Sequence, residues 1–133
     1  MKELNSLTKP TTGVGTIILD LESNGLLNKA TRIHCVALHY CDENLTETFN
    51  DEKYSDQAKY LPMGNRSITT AITSIEIAET VVGHNIIGFD LPLIKRLYPF
   101  FTYPPVIVDT LLLSRLYHPN LYDIDKKQEW KDM

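Results

Sequence analysis

Asp20 and Glu22 stand two residues apart at the end of the apolar run Thr16-Ile17-Ile18-Leu19, and a third carboxylate, Asp90, closes the stretch His84-Asn85-Ile86-Ile87-Gly88-Phe89-Asp90. Side chains at i and i+2 of a strand point to the same face. Two carboxylates held that closely repel each other, and a cation between them removes the penalty. Hard oxygen ligands suit Mg²⁺ or Mn²⁺. The pattern is that of half a metal-dependent phosphodiester-cleaving site.

The elements that must position these groups follow from periodicity. Thr16 to Ser23 reads as a buried strand, followed by a loop through Asn24-Gly25. A second strand spans Ile33 to Tyr40 and a third Leu45 to Asn50, with Cys41-Asp42-Glu43-Asn44 as the hairpin turn. From Ser67, Ile68, Ala71, Ile72, Ile75 and Ala78 recur at helical spacing, which outweighs the strand propensity of the local Ile and Thr residues. Thr80 to Gly83 makes a fourth strand. A helix starts at Phe89, capped by Asp90, tolerating Pro92 in its first turn and burying Leu93, Ile94, Leu97 and Tyr98. Val106 to Val108 is a fifth strand and Thr110 to Tyr117 a closing helix. Residues 1–15 read as a loose leader, 51–66 as a connecting loop and 123–133 as a charged tail, leaving 16–122 as one domain.

Three strands joined by short turns, then helix, strand, helix, strand, helix, make an α/β mixed sheet with an antiparallel meander and parallel additions. The expected architecture is ribonuclease-H-like, with strand order 3-2-1-4-5 and flanking helices. Strand 1 is then central, and ligand sites in such sheets gather at strand ends.

Bulk properties narrow the function. The 133 residues, 43% apolar and 23% charged, are those of an ordinary globular domain. No run of about 18 apolar residues is present and Met1 to Leu7 lacks an apolar core, so neither a membrane span nor a secretion signal is expected. Both features point to the cytoplasm. Cys35 and Cys41, in one extended stretch, would lie about 20 Å apart, beyond disulfide reach. They are expected as buried small hydrophobes in a reducing compartment. The net charge of −4 argues against broad duplex binding through a basic surface, but not against meeting one strand end through bound cations.

Asp20-Leu21-Glu22 resembles the first motif of DEDD-type 3′-5′ exonucleases, and His84 to Asp90 with Leu91-Pro92-Leu93-Ile94 resembles their second. With the segment Val108-Asp109-Thr110-Leu111-Leu112-Leu113-Ser114-Arg115-Leu116, residues 16–122 are similar to the N-terminal proofreading domain of short-tailed-phage family A DNA polymerases. The resemblance implies two-metal hydrolysis with Mg²⁺ or Mn²⁺, in which Asp20, Glu22 and Asp90 bind the ions. One ion helps deprotonate the attacking water, and both flank the scissile phosphate. It further implies a single-stranded DNA 3′ end as substrate, a nucleoside 5′-monophosphate as product and the cytoplasm of an infected bacterium as location. Leu26 would match an apolar wedge against the terminal bases, and Asn85 and Phe89 residues that order the second motif and the strand end.

Simpler roles exist for each residue. Asp20 and Glu22 are also ordinary strand-end charges, Asp90 a helix cap, Asp109 a cap or turn residue before the last helix, and Leu26 and Phe89 core residues. His34 and His39 read as surface or satisfied histidines, His118 has no acidic companion, and Lys126, Lys127 and Lys131 belong to a solvated tail.

The sequence also departs from the family. A third motif, a carboxylate four residues after a Tyr or His on a later helix, is not found from His118 onward; Tyr122 is followed at that spacing by Lys126. The expected fold is therefore truncated before that motif, and activity is expected to need the remainder of a polymerase or a second chain that supplies the helix. The alternative is a non-catalytic exonuclease-fold module that binds nucleic acid or replication partners. A weaker third reading is a ribonuclease-H-like nuclease acting on RNA or internal sites.

Overall fold

The computed structural model describes residues 14–51, 67–120 and 123. Strands β1 (Val14–Ser23), β2 (Ile33–Tyr40), β3 (Leu45–Phe49), β4 (Ala78–Gly83) and β5 (Val106–Asp109) form one sheet in the order β3-β2-β1-β4-β5. β1 pairs antiparallel with β2 and β2 with β3, whereas β4 runs parallel to β1 and to β5. Helices α1 (Ile68–Ile77), α2 (Leu91–Leu97) and α3 (Thr110–Tyr117) complete an α/β, ribonuclease-H-like arrangement, as expected from the order of elements.

Strand β1 alternates rather than being buried on both faces. Ile17, Leu19 and Leu21 point into the core while Ile18, Asp20 and Glu22 stand exposed. The inward set joins Val36, Leu38, Phe49 and Val81 from neighbouring strands under Ile68, Ala71, Ile72 and Ile75 of α1 and Leu91, Leu93 and Ile94 of α2. α1 owes its start to Ser67, whose hydroxyl accepts from the Thr70 N–H. The helix stops at Ile77 because Ala78, helical in spacing and buried, already has extended backbone and opens β4.

Several boundaries and burials differ from expectation. Val14 and Gly15, assigned to the leader, pair within β1, because Val14 stands opposite Ala78. Leu97 and Tyr98 are only partly buried, and Leu91 takes a core place beside Leu93 and Ile94. Cys35 is partly buried and Cys41 exposed, since the first lies on the outward face of β2 and the second in the hairpin; both are free thiols. The leader up to residue 13, the connection 52–66 and residues 124–133 lie outside the described residues.

Candidate active site at the end of the central strand

The parallel pairing of β1 with β4 ends at Ile18 opposite Val82, while β1 runs on to Ser23. Backbone groups on that edge of β1 therefore need other partners. Gly83 closes β4 where a side chain would lie 2.8 Å from the Leu19 carbonyl oxygen and collide with Ile86, so only glycine permits this approach. The chain then turns through Asn85, in the left-handed region at φ 58°, into a π-helical turn over Ile86–Asp90. Such turns are uncommon and recur at functional sites.

This turn delivers Asp90 to β1. Its carboxylate accepts hydrogen bonds from its own N–H and from the Leu21 N–H, and it lies close enough to Asp20 for that charge to act on it. Asp90 is 5% exposed. Burial, and then the charges of Asp20 and Asp109, outweigh the two N–H donors and push its pKa up to about 6. The expected capping role is not realised: Asp90 occupies the N-cap position of α2 with helical backbone and makes no side-chain cap bond, because its carboxylate is engaged with β1. The helix also begins at Leu91, not Phe89, with the π-helical turn in front of it.

Glu22 shares the outward face of β1 with Asp20 and stands opposite Cys35. Burial, then the Glu22 charge, raises the Cys35 thiol pKa. The pairing register shifts between Glu22 and Ser23, an irregularity of the kind that re-aims side chains at strand ends. Asp20 and Asp90 are thus brought together. Among the described residues, no three His, Cys, Asp or Glu side chains converge closely enough to hold a metal ion by themselves.

Leu26 is 72% exposed, so the core role open to it in sequence is not the one it takes. Its loop is internally tied: Thr31 and Arg32 N–H groups donate to Asn24 Oδ1 at 2.9 and 3.1 Å, and Ala30 N–H to the Leu26 carbonyl at 2.7 Å. Arg96 of α2 donates to the Ala30 carbonyl, locking the loop to the helix that follows Asp90. An exposed apolar side chain thus sits on a hydrogen-bonded loop four residues beyond Glu22 in the chain. Phe89 is partly buried against the core, and Asn85 is exposed with its side-chain Oδ1 close over Gly88. His39 is satisfied by Thr46 Oγ1 at 2.8 Å across the β2–β3 pair, in keeping with a non-ligand role.

Asp109 does more than the cap or turn expected of it, although it does accept from Leu111 N–H at 2.9 Å at the start of α3. It also accepts from Asn85 and Ile87, across the sheet edge. Nothing in a single sequence signals that second contact; the pairing of Gly83 with Asp109 creates it.

No protein-family model matches the chain. Over 117 residues it is 30% identical to the DNA-directed DNA polymerase of Escherichia phage T7, covering 82% of this chain and 15% of that polymerase. The corresponding enzyme of Enterobacteria phage T3 is 29% identical over 116 residues, with the same coverage. Among solved structures, the family B DNA polymerase of the archaeon Pyrobaculum calidifontis is similar at a TM-score of 0.42 and 16% identity, over 67% of this chain and 11% of that one. The chain spans about 15% of the length of the phage polymerases it matches. Among the described residues no helix is long and apolar enough to cross a membrane. Over 82% of its length, this chain is homologous to a segment of the phage T7 and T3 DNA polymerases.

Proposed function

We propose that the chain carries the acidic core of a 3′-5′ exonuclease that removes nucleoside 5′-monophosphates from single-stranded DNA 3′ ends, as the proofreading part of a phage DNA polymerase. The observation that carries this reading is the meeting of Asp20 and Asp90, 70 positions apart in the chain, on the unpaired edge of the central strand. Burial, and to a smaller extent the nearby Asp20 charge, raises the pKa of Asp90, and an opposing cation would relieve both costs.

Asp20 and Asp90, with Glu22 on the same strand face as Asp20, would hold Mg²⁺ or Mn²⁺. When bound, the cation would lower the pKa of a water molecule and offset charge on the phosphodiester. The chain's own part is to supply anionic oxygens and to shield Asp90 from bulk water. Leu26 would press against the terminal base and separate it from its neighbour. Asn85 and Phe89 would shape the turn that the strand end meets. Further oxygen donors would come from the rest of the polymerase or from a second chain, because the described residues offer no set of three.

That last observation also supports a second reading, a non-catalytic module that keeps the fold and docks to strand ends or replication proteins. Digestion of a 3′-end-labelled single strand with Mg²⁺ or Mn²⁺ separates the two. The exonuclease reading expects mononucleotides from wild type and none from Asp20→Ala. Equal rates for both proteins would leave the module reading, and mid-strand cuts would mean a different nuclease.

A further inference from the structure

We propose that Asp109 is a positioning residue for Asp90, clamping the backbone turn that brings the Asp90 carboxylate to β1. Its side chain is 5% exposed and sits at the end of β5, opposite Gly83. One carboxylate oxygen accepts from Asn85 N–H and Leu111 N–H, each at 2.9 Å; the other accepts from Ile87 N–H at 3.0 Å. A helix cap needs only the Leu111 bond. The two additional bonds reach residues 22 and 24 positions earlier in the chain.

Those two residues govern where Asp90 goes. Asn85 holds the only left-handed backbone in this turn, and its carbonyl accepts from Phe89 N–H at 2.9 Å. Ile87 lies inside the five-residue π-helical turn that ends at Asp90. Fixing both N–H groups fixes the start and the pitch of the turn, and hence the point at which Asp90 meets the Leu21 N–H. Asp109 also fits this task electrically. Burial alone would raise its pKa, but the N–H groups of Ile87, Asn85, Leu111 and Leu112 outweigh it and hold the carboxyl below its ordinary range. It therefore stays an acceptor throughout the neutral range. Thr110 reinforces the junction by donating to the Gly83 carbonyl and pairing with His84 Nδ1.

The consequence for metal binding rests on the nuclease reading above, but the clamp itself does not. Asp109→Asn, with its remaining oxygen toward Asn85 and Leu111, keeps the cap and turns an NH₂ group against the Ile87 N–H. Asp109→Ser retains a capping hydroxyl but is too short to reach the turn. In the full chain, amide exchange should rise at least about tenfold at Ile87 in Asp109→Asn, and at both Asn85 and Ile87 in Asp109→Ser, while α1 amides keep their protection. Mn²⁺ affinity should weaken by about 10-fold or more, the usual effect of removing a group that orients a ligand. Unchanged exchange at Asn85 and Ile87, or faster exchange with unaltered Mn²⁺ affinity, would overturn the inference. Should wild type bind no Mn²⁺, the nuclease reading fails, and a crystal structure of Asp109→Asn decides the clamp. Asp90 displaced from the Leu21 N–H supports it, and Asp90 still seated there overturns it.

Discussion

The Asp90 carboxylate accepts a hydrogen bond from the Leu21 backbone N–H, so an acidic side chain completes the edge of the central strand where β4 no longer reaches it. This relationship places Asp90 beside Asp20 and makes one carboxylate serve both the backbone and the candidate site. Its electrostatic cost is readable in solution.

The carboxyl of Asp90 titrates near 6, against 3.8 for the free group. The folded state thus holds a proton that the unfolded chain has lost between those values. Stability from this group is highest below pH 4 and falls as pH rises to 6, by on the order of 2 to 3 kcal/mol. Asp90→Asn should therefore raise the melting temperature of the metal-free protein at pH 8, and Asp20→Asn should lower the Asp90 pKa. A less stable Asp90→Asn protein at pH 8 would mean that the Leu21 bond outweighs the burial of charge.

Asp109 behaves oppositely. Its lowered pKa contributes stability that is present above the ordinary carboxyl range and lost as pH falls through the folded value. A second loss of stability below about pH 4 is expected, absent in Asp109→Asn. Urea unfolding from pH 2 to 5 measures it.

Leu26 separates a surface role from a core one. At 72% exposure, Leu26→Ala should change stability by less than about 0.5 kcal/mol. The same change should slow release of the terminal nucleotide from a paired end more than from a single strand. A loss of about 2 kcal/mol or more would instead return Leu26 to the core.

Gly83→Ala tests the close approach of β4 to β1. The added methyl would press on the Leu19 carbonyl and Ile86, and a destabilisation of about 1 to 3 kcal/mol is expected. Gly88→Ala meets the Asn85 side-chain oxygen, which can rotate away, so it should cost less.

Most of the sheet was legible in sequence. β2 and α3 fall where the pattern puts them, and the strand order is that of the ribonuclease-H-like arrangement which the order of elements matches. The apolar spacing of Ile68, Ala71, Ile72 and Ile75 correctly overrode their strand propensity because α1 buries that stripe. The π-helical turn was not legible, since five residues carry no usable periodicity and the Asp90-Leu91-Pro92 signal mimics an ordinary cap. The partnership of Asp109 with Asn85 and Ile87 depends on register between distant segments, which one sequence does not encode locally. The exposure of Cys41 was missed because its neighbours to the amino side are strand-like, although it begins the turn.

Outward-facing Ile18 and Val106, with Leu112, Leu113, Leu116 and Tyr117 of α3, are exposed apolar groups. Such surface favours association, and concentration-dependent self-association by light scattering is expected. Leu116→Lys should reduce it without lowering the melting temperature, because α3 buries no residue.

The most direct test of the central claim is calorimetric titration of Mn²⁺ into the full chain at pH 7.5, beside Asp20→Asn and Asp90→Asn. Saturable binding at millimolar metal or below, lost in both variants, is the expected result. No heat with wild type, or equal binding by all three proteins, would contradict a cation held between these carboxylates.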